Sequence, residues 1–359
     1  MHTRILYHAP RLNRNDIMYH MEIRTEIPLQ QYTTMRLGGK ARFMASATSV
    51  NEVRELYKSA KMQGIPIFVL GGGSNVIARD EGFEGAVLLN RIKGFAVLTD
   101  DGQTATIKVG AGEIWDEVVK RTVTMGLSGI EAMSAIPGTA GAAPVQNVGA
   151  YGQEVADVLT ELEAYDSLTD RVVTLDAAEC GFSYRHSIFR GEASGRYCIL
   201  SITIKLHHAA PKPPFYAGLQ RYLTNMNITT FTPQVIRDAV MAIRFDKLPD
   251  PTERPNAGSF FKNALIESWQ LNELREQYPD APSYDMPDGR HKVPTGWLIE
   301  QAGLKGALLH GMRVHDKNAL VLINESATSY HDLAAARDAI IQSVYDKFHI
   351  QIQQEPLEI

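Results

Sequence analysis

The sequence has few cysteines, no long hydrophobic run and no apolar secretory signal. Its only cysteines, Cys180 and Cys198, are too few for a disulfide framework, and neither belongs to a zinc-type CxxC pair. Two reduced buried thiols are favoured over one bridge. No stretch reaches about 18 apolar residues, and the basic N-terminal segment lacks an apolar core. We therefore expect a cytoplasmic chain without a membrane span or a metal site.

The charge balance also excludes whole classes of partner. The chain has 36 Lys and Arg against 41 Asp and Glu, a formal charge of −5. No basic stripe predicts a nucleic-acid surface. Hydrophobic residues make up 44% and charged residues 21% of the 359 positions, which is ordinary for a globular protein. That length allows two or three domains and an active site between them.

Apolar patterning divides the chain into three parts. Residues 1–21 precede the patterned sequence and are expected to form a disordered arm, with Met18 and Met21 as alternative starts. Strands alternating with helices favour a mixed first region over 22–208. A stretch containing proline and tyrosine at 207–233 predicts a linker into a second region over 209–359. Predicted helices cover 49–63, 114–125, 233–245, 295–302 and 331–348; predicted strands cover 41–46, 66–70, 85–89, 104–109, 159–165, 171–174, 199–206 and 319–323.

Two glycine-rich segments are candidate ligand loops. Gly71-Gly72-Gly73-Ser74-Asn75 directly follows a predicted strand, and glycine backbone can direct successive N–H groups at an anion. It is neither GxGxxG nor a P-loop, and an ordinary turn is the alternative. Residues 132–153 contain no charged side chain and four glycines. Such backbone suits close approach to a neutral heterocycle, or else a tightly packed structural loop.

Two further segments carry candidate polar residues. Arg185 and Arg190 flank apolar residues in YRHSIFR, where an arginine could bind an anionic substrate or form a surface ion pair. Ser259 lies between a glycine and two phenylalanines, out of the local pattern. It is not in a GxSxG elbow, so a hydrolase nucleophile is disfavoured, and a turn or N-cap role is the alternative.

The chain from about Leu29 to its end resembles the UDP-N-acetylenolpyruvoylglucosamine reductase family. Several long strings in the family's order carry the resemblance, which is specific. They are YTTMRLGGKA (32–41), LGGGSNVI (70–77), NRIKG (90–94), VGAGEIW (109–115), IPGTAGAAPVQNVGAYG (136–152), CGFSYRHSIFRG (180–191), KLPDPTERPNAGSFFKN (247–263), GWLIEQAGLKG (296–306) and HDKNALVLIN (315–324).

This resemblance implies an α+β fold and a bound cofactor. The first region would be a two-subdomain FAD-binding unit of the vanillyl-alcohol-oxidase (PCMH-type) style, followed by an α+β substrate-binding domain. FAD would be held without a covalent bond, since 132–153 contains no histidine to tether it. The residues implied to contact it are Gly71, Gly72, Gly73, Ser74, Asn75, Pro137, Gly138, Gly141, Gln146, Asn147, Gly149 and Tyr151.

The implied reaction consumes NADPH and UDP-N-acetylglucosamine enolpyruvate and yields UDP-N-acetylmuramate for peptidoglycan synthesis, and so for cell shape and division. NADPH reduces the flavin, hydride then passes to the enolpyruvyl ether, and a proton follows. Arg185 matches the family's arginine, Ser259 its proton-donating serine, and Glu355 its glutamate, with Glu358 as the alternative. The residues implied to contact the substrate are Tyr184, Tyr216, Lys247 and Asn263.

Tyr216 places the chain in the longer subgroup of the family, whose tyrosine loop folds over the nucleotide-sugar. Lys247 and Asn263 are also candidates to assist Ser259. A monomer is expected. Two other interpretations stay open: a flavin oxidase of the same superfamily, and a nucleotide-sugar sensor without turnover. The absence of a tethering histidine and the GSFFKN segment disfavour the first, and Arg185 together with Ser259 disfavours the second.

Overall fold

The N-terminal region contains a four-stranded sheet and a helix with a capped N-terminus. The computed structural model describes residues 21–359, so all but the last residue of the expected arm lies outside the described part. The elements are β1 (Ile23–Pro28), β2 (Lys40–Ala47), α1 (Val50–Met62), β3 (Ile67–Leu70), β4 (Val76–Ile77) and β5 (Phe83–Asn90). The strand order is β1-β2-β5-β3, parallel except between β1 and β2. Ser49 caps α1 with Glu52 in a reciprocal capping box.

A second sheet follows, built from antiparallel strands. The elements in this part of the chain are β6 (Phe95–Asp100), β7 (Thr104–Gly110), α2 (Trp115–Thr124), β8 (Gly149–Ala150), β9 (Gln153–Glu154), β10 (Leu159–Asp166), β11 (Arg171–Asp176) and β12 (Tyr197–His207). The sheet order is β11-β10-β12-β7-β6, and β8 pairs with β9. Trp115 of α2 is buried against this sheet and donates its indole N–H to the Met133 carbonyl at 3.2 Å. That bond ties α2 to the start of the uncharged segment.

The C-terminal region combines short strands with five helices. They are α3 (Ala217–Asn225), α4 (Pro233–Lys247), β13 (Asn256–Ser259), β14 (Ala264–Ile266), α5 (Ser268–Gln277), β15 (Tyr284–Asp285), β16 (His291–Val293), α6 (Thr295–Gln301), β17 (Leu308–Leu309), β18 (Met312–Val314), β19 (Val321–Asn324), α7 (Tyr330–Phe348) and β20 (Leu357–Glu358). One sheet has the order β13-β19-β18-β17 and another β14-β16-β15. The α+β class is therefore confirmed.

The stretch predicted as a linker contains a helix. Leu219 and Leu223 of α3 are buried with Ile236 and Val240 of α4 in a small core that also includes Ala132. The linker prediction was wrong for these residues, because the apolar spacing inside a proline-containing segment provides a packing face. Both helices thus pack on the uncharged segment of the N-terminal half. The division at 208/209 itself stays a prediction.

The chain end returns to the N-terminal region. Leu357 and Glu358 form β20, which pairs in parallel with Val76 and Ile77 of β4. Cys180 and Cys198 are free and buried. Within the described part of the chain, no helix has both the length and the apolar character that a bilayer crossing requires.

Candidate active site

The two glycine-rich segments meet main chain to main chain. A Cβ added at Gly72 would lie 2.9 Å from the Gly138 Cα. At Gly73, whose φ is +67°, it would lie 1.8 Å from the Tyr32 carbonyl oxygen. Only glycine fits a left-handed position packed so closely. The Ser74 hydroxyl also donates to the Pro137 carbonyl at 3.4 Å. The two predicted ligand loops therefore form one wall.

This wall borders a cavity of about 230 Å³. We call it the central cavity. Residues from both halves of the chain line it, including α4, β13 and the C-terminal tail. The predicted site residues that line it are Gly71, Gly72, Gly73, Ser74, Asn75, Pro137, Gly138, Gln146, Gly149, Arg185, Ser259 and Glu355. All three residues predicted to be catalytic are thus brought together.

Ser259 is held at the end of β13 by its apolar neighbours. Strand β13 pairs with β19, where Ser259 lies opposite Val321. The next two residues, Phe260 and Phe261, are almost fully buried, and the Phe260 N–H donates to the Leu320 carbonyl at 2.7 Å. These contacts fix the backbone, so the half-buried serine is presented to the central cavity on a rigid strand.

The side chains of Arg185 and Glu355 lie next to each other inside the cavity. The Arg185 Nε lies 3.4 Å from Glu355 Oε1. The other guanidinium nitrogens donate to the carbonyls of Gly149 at 2.7 Å and Asn147 at 3.4 Å. Two separate segments, the uncharged loop and the C-terminal tail, therefore fix the orientation of the arginine. Because the pair is largely buried, its attraction is screened less than that of a surface pair.

The surroundings of Glu355 favour its protonated form. Burial raises the pKa of this carboxyl, and the cations Arg185, Arg190 and Lys262 only partly oppose the rise. Burial also lowers the pKa of Lys262, with Arg190 as a second cause. A carboxyl with a raised pKa in a cavity can act as a hydrogen-bond or proton donor near neutral pH.

Gln146 links the cofactor-type loop to the tail. Its Oε1 accepts hydrogen bonds from Asn75 Nδ2 and, at 3.0 Å, from Arg190 Nη1. Its Nε2 donates to Glu355 Oε1 at 3.4 Å. Arg190 also donates to the Glu355 main-chain carbonyl at 2.6 Å. The polar wall of the cavity is therefore one connected network.

Glu358, the alternative to Glu355, lies in another environment. Its carboxylate pairs with Arg79 at 2.6 Å and with Arg337 at 2.8 Å. Burial would raise the pKa of Glu358, but hydrogen bonds from Arg79, Tyr330 and Gln354 outweigh it and lower the pKa. Glu358 is thus held as a paired anion, whereas Glu355 lines the central cavity.

A second cavity of about 610 Å³ adjoins the first, and Arg244 of α4 lines both. The Arg244 Nε is enclosed without a hydrogen-bond partner among residues 21–359. Burial lowers its pKa, which Tyr151 and Asp116 partly oppose. The sequence reasoning missed Arg244. The sequence feature that could have indicated it is helical spacing, because Arg237 and Arg244 fall on the same face of α4 as the apolar residue Val240.

Predicted site residues outside the central cavity lie in several places. Tyr184 and Asn263 line a third cavity of about 650 Å³, which also contains Lys262 and Lys292. The Asn263 N–H donates to the Tyr184 hydroxyl at 3.3 Å. Tyr184 is thereby fixed at the boundary between the Arg185 segment and the GSFFKN segment. Lys292 lies 5.2 Å from the centre of the Tyr184 ring.

Tyr216 is 45% exposed. Its ring makes an edge contact with the Tyr151 ring, with 6.0 Å between the ring centres, and stacks on the Tyr284 ring, with 6.4 Å between the ring centres. Asn147 is buried, and its side chain bonds to the main chain of Ser183 and Ala156.

Gly141 packs against the Ala111 side chain. Lys247 is exposed at the end of α4. Gly141, Asn147 and Lys247 thus lie outside the cavity wall. Among the described residues, no cluster of His, Cys, Asp and Glu could hold a metal ion.

Two family models match the chain. The model of the FAD binding domain matches residues 41–176. The model described as "UDP-N-acetylenolpyruvoylglucosamine reductase, C-terminal domain" matches residues 250–359. The first covers the uncharged loop and the strands from β2 to β11, and the second covers Ser259 and Glu355. Both glycine-rich loops, Ser259 and Glu355 therefore fall within matched regions, whereas Arg185 and Arg244 lie between them.

Full-length relatives and a solved structure agree with these matches. UDP-N-acetylenolpyruvoylglucosamine reductase of Ralstonia nicotianae is 41% identical over 335 residues, 92% of this chain and 98% of the relative. The reductase of Burkholderia cenocepacia is 40% identical over 333 residues, 92% of this chain and 95% of the relative. The crystal structure of the reductase from Thermus caldophilus superposes with a TM-score of 0.64 at 22% identity, covering 94% and 99% of the two chains. That last likeness concerns the fold.

Proposed function

The chain belongs to the UDP-N-acetylenolpyruvoylglucosamine reductase family, and we propose that its central cavity reduces UDP-N-acetylglucosamine enolpyruvate to UDP-N-acetylmuramate at the expense of NADPH. The protein is an FAD-dependent oxidoreductase. The observation that carries the proposal is the convergence of Arg185, Ser259 and Glu355 on the cavity that the two glycine-rich loops border.

The residues present fit FAD. The loop Gly71–Asn75 lines the central cavity, and its glycines pack so closely on Gly138 and Tyr32 that its main chain is fixed, which suits binding of a pyrophosphate by backbone N–H groups. Arg244, which lines the central and second cavities, adds a guanidinium nitrogen that has no hydrogen-bond partner among residues 21–359. The uncharged segment from Ile136 to Gly149 adds an apolar surface for the ring system. When bound, FAD supplies the hydride chemistry between NADPH and the enolpyruvyl ether.

Arg185 and Glu355 stabilise charge on the substrate. Hydride addition to the methylene carbon places negative charge on the adjacent carbon and on the carboxylate conjugated with it. A fixed cation and a protonated carboxyl aimed at that carboxylate stabilise the charge as it develops. The Arg185 guanidinium is already oriented by the carbonyls of Asn147 and Gly149, so it needs little reorganisation during the reaction.

Ser259 completes the reaction by donating its hydroxyl proton to the carbon next to the substrate carboxylate. A serine is a weak acid, and nearby cations are needed to stabilise the alkoxide that forms. Arg185 and Arg244 line the same cavity as the serine and supply that positive potential. Lys247 and Asn263 assist less directly, because neither lines the central cavity.

The nucleotide-sugar extends from the central cavity toward Tyr184 and Tyr216. The third cavity is lined by Lys262 and Lys292, whose positive charges suit a diphosphate, whereas Arg290 in the same lining is paired with Asp288. Tyr216 is exposed beside it and stacks on Tyr284, which suits a mobile aromatic that covers the uridine. Lys247 at the end of α4 contacts the substrate only if the chain closes over it.

The protein works as a cytoplasmic monomer in peptidoglycan precursor synthesis, and so supports cell-wall growth, cell shape and division. One chain supplies all three catalytic side chains, so no second copy is needed to complete the cavity. Both cysteines are free and buried, which suits a reducing compartment. The partners are the two small-molecule substrates, without nucleic acid or membrane.

The direct test is to purify the protein, identify its flavin and follow NADPH oxidation spectrophotometrically. We expect a yellow protein that releases free FAD on denaturation and oxidises NADPH faster when UDP-N-acetylglucosamine enolpyruvate is added. A protein without flavin would overturn the proposal. Flavin reduction without stimulation by this substrate would instead indicate a sensor, and turnover of a sugar or alcohol with oxygen would indicate an oxidase.

A further inference from the structure

The last residues of the chain are bound to the strand that follows the glycine-rich loop. The Leu357 N–H donates to the Asn75 carbonyl at 3.0 Å, and the Ile359 N–H donates to the Ile77 carbonyl at 2.9 Å. In return, the Arg79 N–H donates to the Ile359 carbonyl at 2.8 Å. The tail therefore joins the loop that borders the central cavity.

Glu355 lies just before this strand, and its own backbone is bound on the opposite side. Its N–H donates to the Phe260 carbonyl at 2.8 Å, and Phe261 forms an isolated bridge with Gln354. The tail thus spans from the segment that carries Ser259 to the strand β4. A two-residue strand has little intrinsic stability, so it opens readily unless side chains hold it.

Glu358 provides such a hold because both of its carboxylate oxygens are engaged. Oε2 accepts from Arg79 Nε at 3.0 Å and from Arg79 Nη2 at 2.6 Å. Oε1 accepts from Arg337 Nη1 at 2.8 Å and from Gln354 Nε2 at 3.2 Å. Arg79 follows β4, whereas Arg337 belongs to α7. Glu358 therefore connects both regions of the protein to the tail.

We propose that Glu358 is a positioning residue whose ion pairs with Arg79 and Arg337 hold the tail so that Glu355 stays beside Arg185 in the central cavity. This inference rests on the proposed function, because the tail affects turnover only through the role proposed for Glu355. Glu358 itself does not line the cavity. Its effect on turnover is transmitted along three residues of backbone, and a displacement of the carboxyl by about 1 Å suffices to lower a rate substantially.

The test compares Glu358→Gln with wild type and with the control variant Glu325→Gln. Glu325 also pairs with an arginine, Arg313, in the same region, but neither residue contacts the tail. For Glu358→Gln we expect kcat to fall about 10-fold or more. The KM for the enolpyruvyl substrate, the flavin content and the rate of flavin reduction by NADPH stay unchanged. Glu325→Gln should match wild type in every quantity.

A second variant, Arg79→Met, removes the other partner at an exposed position and keeps the test decisive if Glu358→Gln is insoluble. It should show the same selective fall in kcat. Unchanged kcat in either soluble variant would overturn the proposal, and so would a parallel loss of flavin and of both half-reactions. If wild type has no substrate-dependent turnover, the proposed function fails. If wild type turns over, Glu355→Gln is strongly slowed and Glu358→Gln is normal, only the positioning role fails.

Discussion

The Arg185 Nε lies 3.4 Å from Glu355 Oε1, although one residue belongs to a loop between strands of the second sheet and the other to the chain end. Main-chain carbonyls hold the arginine, and burial keeps the pKa of the glutamate raised. A cation and a carboxyl whose pKa is raised are therefore held side by side. That arrangement suits the stabilisation of a developing carboxylate charge.

The pH dependence of substrate reduction should follow Glu355. Its pKa lies above the ordinary value of 4.5, so the carboxyl keeps its proton where an exposed glutamate has lost it. Because the protonated form is the active one, the rate is high below this pKa and falls as pH rises through it. Glu355→Gln should lack that falling limb and be slower by about 10²–10³-fold. Single-turnover rates measured across pH check this; an unchanged profile in the variant would refute the assignment.

Gly73→Ala should abolish flavin binding. The new Cβ would lie 1.8 Å from the Tyr32 carbonyl oxygen, at a φ of +67°. Gly64→Ala is the matched control, because its φ is +63° but nothing lies within 4 Å of the added Cβ. The control bears only the backbone cost of about 1–2 kcal/mol. FAD content per chain after purification measures the difference, and a fully loaded Gly73→Ala protein would contradict it.

Arg244→Met should weaken flavin binding. The buried Nε has no hydrogen-bond partner within residues 21–359, and the side chain borders two cavities, so an anionic ligand group is its expected partner. Loss of a hydrogen bond to a charged group costs about 1.5–3 kcal/mol, which raises Kd about 10- to 100-fold. Titration of the flavin-free protein with FAD gives the Kd. Arg221→Met, on the exposed face of α3, should bind FAD as wild type does; equal affinities for all three proteins would count against the prediction.

Asp116→Asn should destabilise the protein. Asp116 accepts from Arg237 at 2.6 Å and from the Ala135 N–H at 2.6 Å, and the Arg237 side chain is only 6% exposed. Breaking a buried pair by removing one charge costs about 3 kcal/mol or more. Urea unfolding measures the loss. Asp246→Asn, whose partner Lys317 is exposed, is the control and should leave the unfolding midpoint nearly unchanged.

Acid should reduce the difference in unfolding free energy between wild type and Asp116→Asn. Burial acts to raise the pKa of Asp116, but the hydrogen bonds from Arg237 and Ala135 outweigh it, and the pKa falls below the ordinary value of 3.8. The pair therefore contributes its full stability above pH 3.8 and loses it as pH falls toward the folded-state pKa. A gap between wild type and variant that stays constant through this range would show that the charge does not contribute.

Local sequence signals predicted the regular elements well. The helix expected over 49–63 is Val50–Met62, because a capping serine and a terminal glycine mark its ends. The strand expected over 41–46 is Lys40–Ala47, set by its apolar run. The helix Ala217–Asn225 was not predicted, because prolines nearby indicated a linker and its packing partner lies far away in the sequence.

The site was predictable only where a motif carries it. The family strings predicted roles for Ser259 and Arg185 without any geometry, and both residues line the central cavity. Pattern alone could not separate Glu355 from Glu358, because the distinction depends on the pairing of the tail with β4. Arg244 was missed for a related reason: whether a helical cation is paired depends on tertiary neighbours that periodicity does not reveal.

The most direct test of the central claim is the separation of the two half-reactions in Ser259→Ala, with Ser194→Ala as an exposed control. The flavin is followed by absorbance under anaerobic conditions, first on mixing with NADPH and then with UDP-N-acetylglucosamine enolpyruvate. We predict that Ser259→Ala is reduced by NADPH at the wild-type rate, while reoxidation by the substrate slows by about 10²–10⁴-fold. Reoxidation at the wild-type rate, or loss of both steps together, would contradict the account.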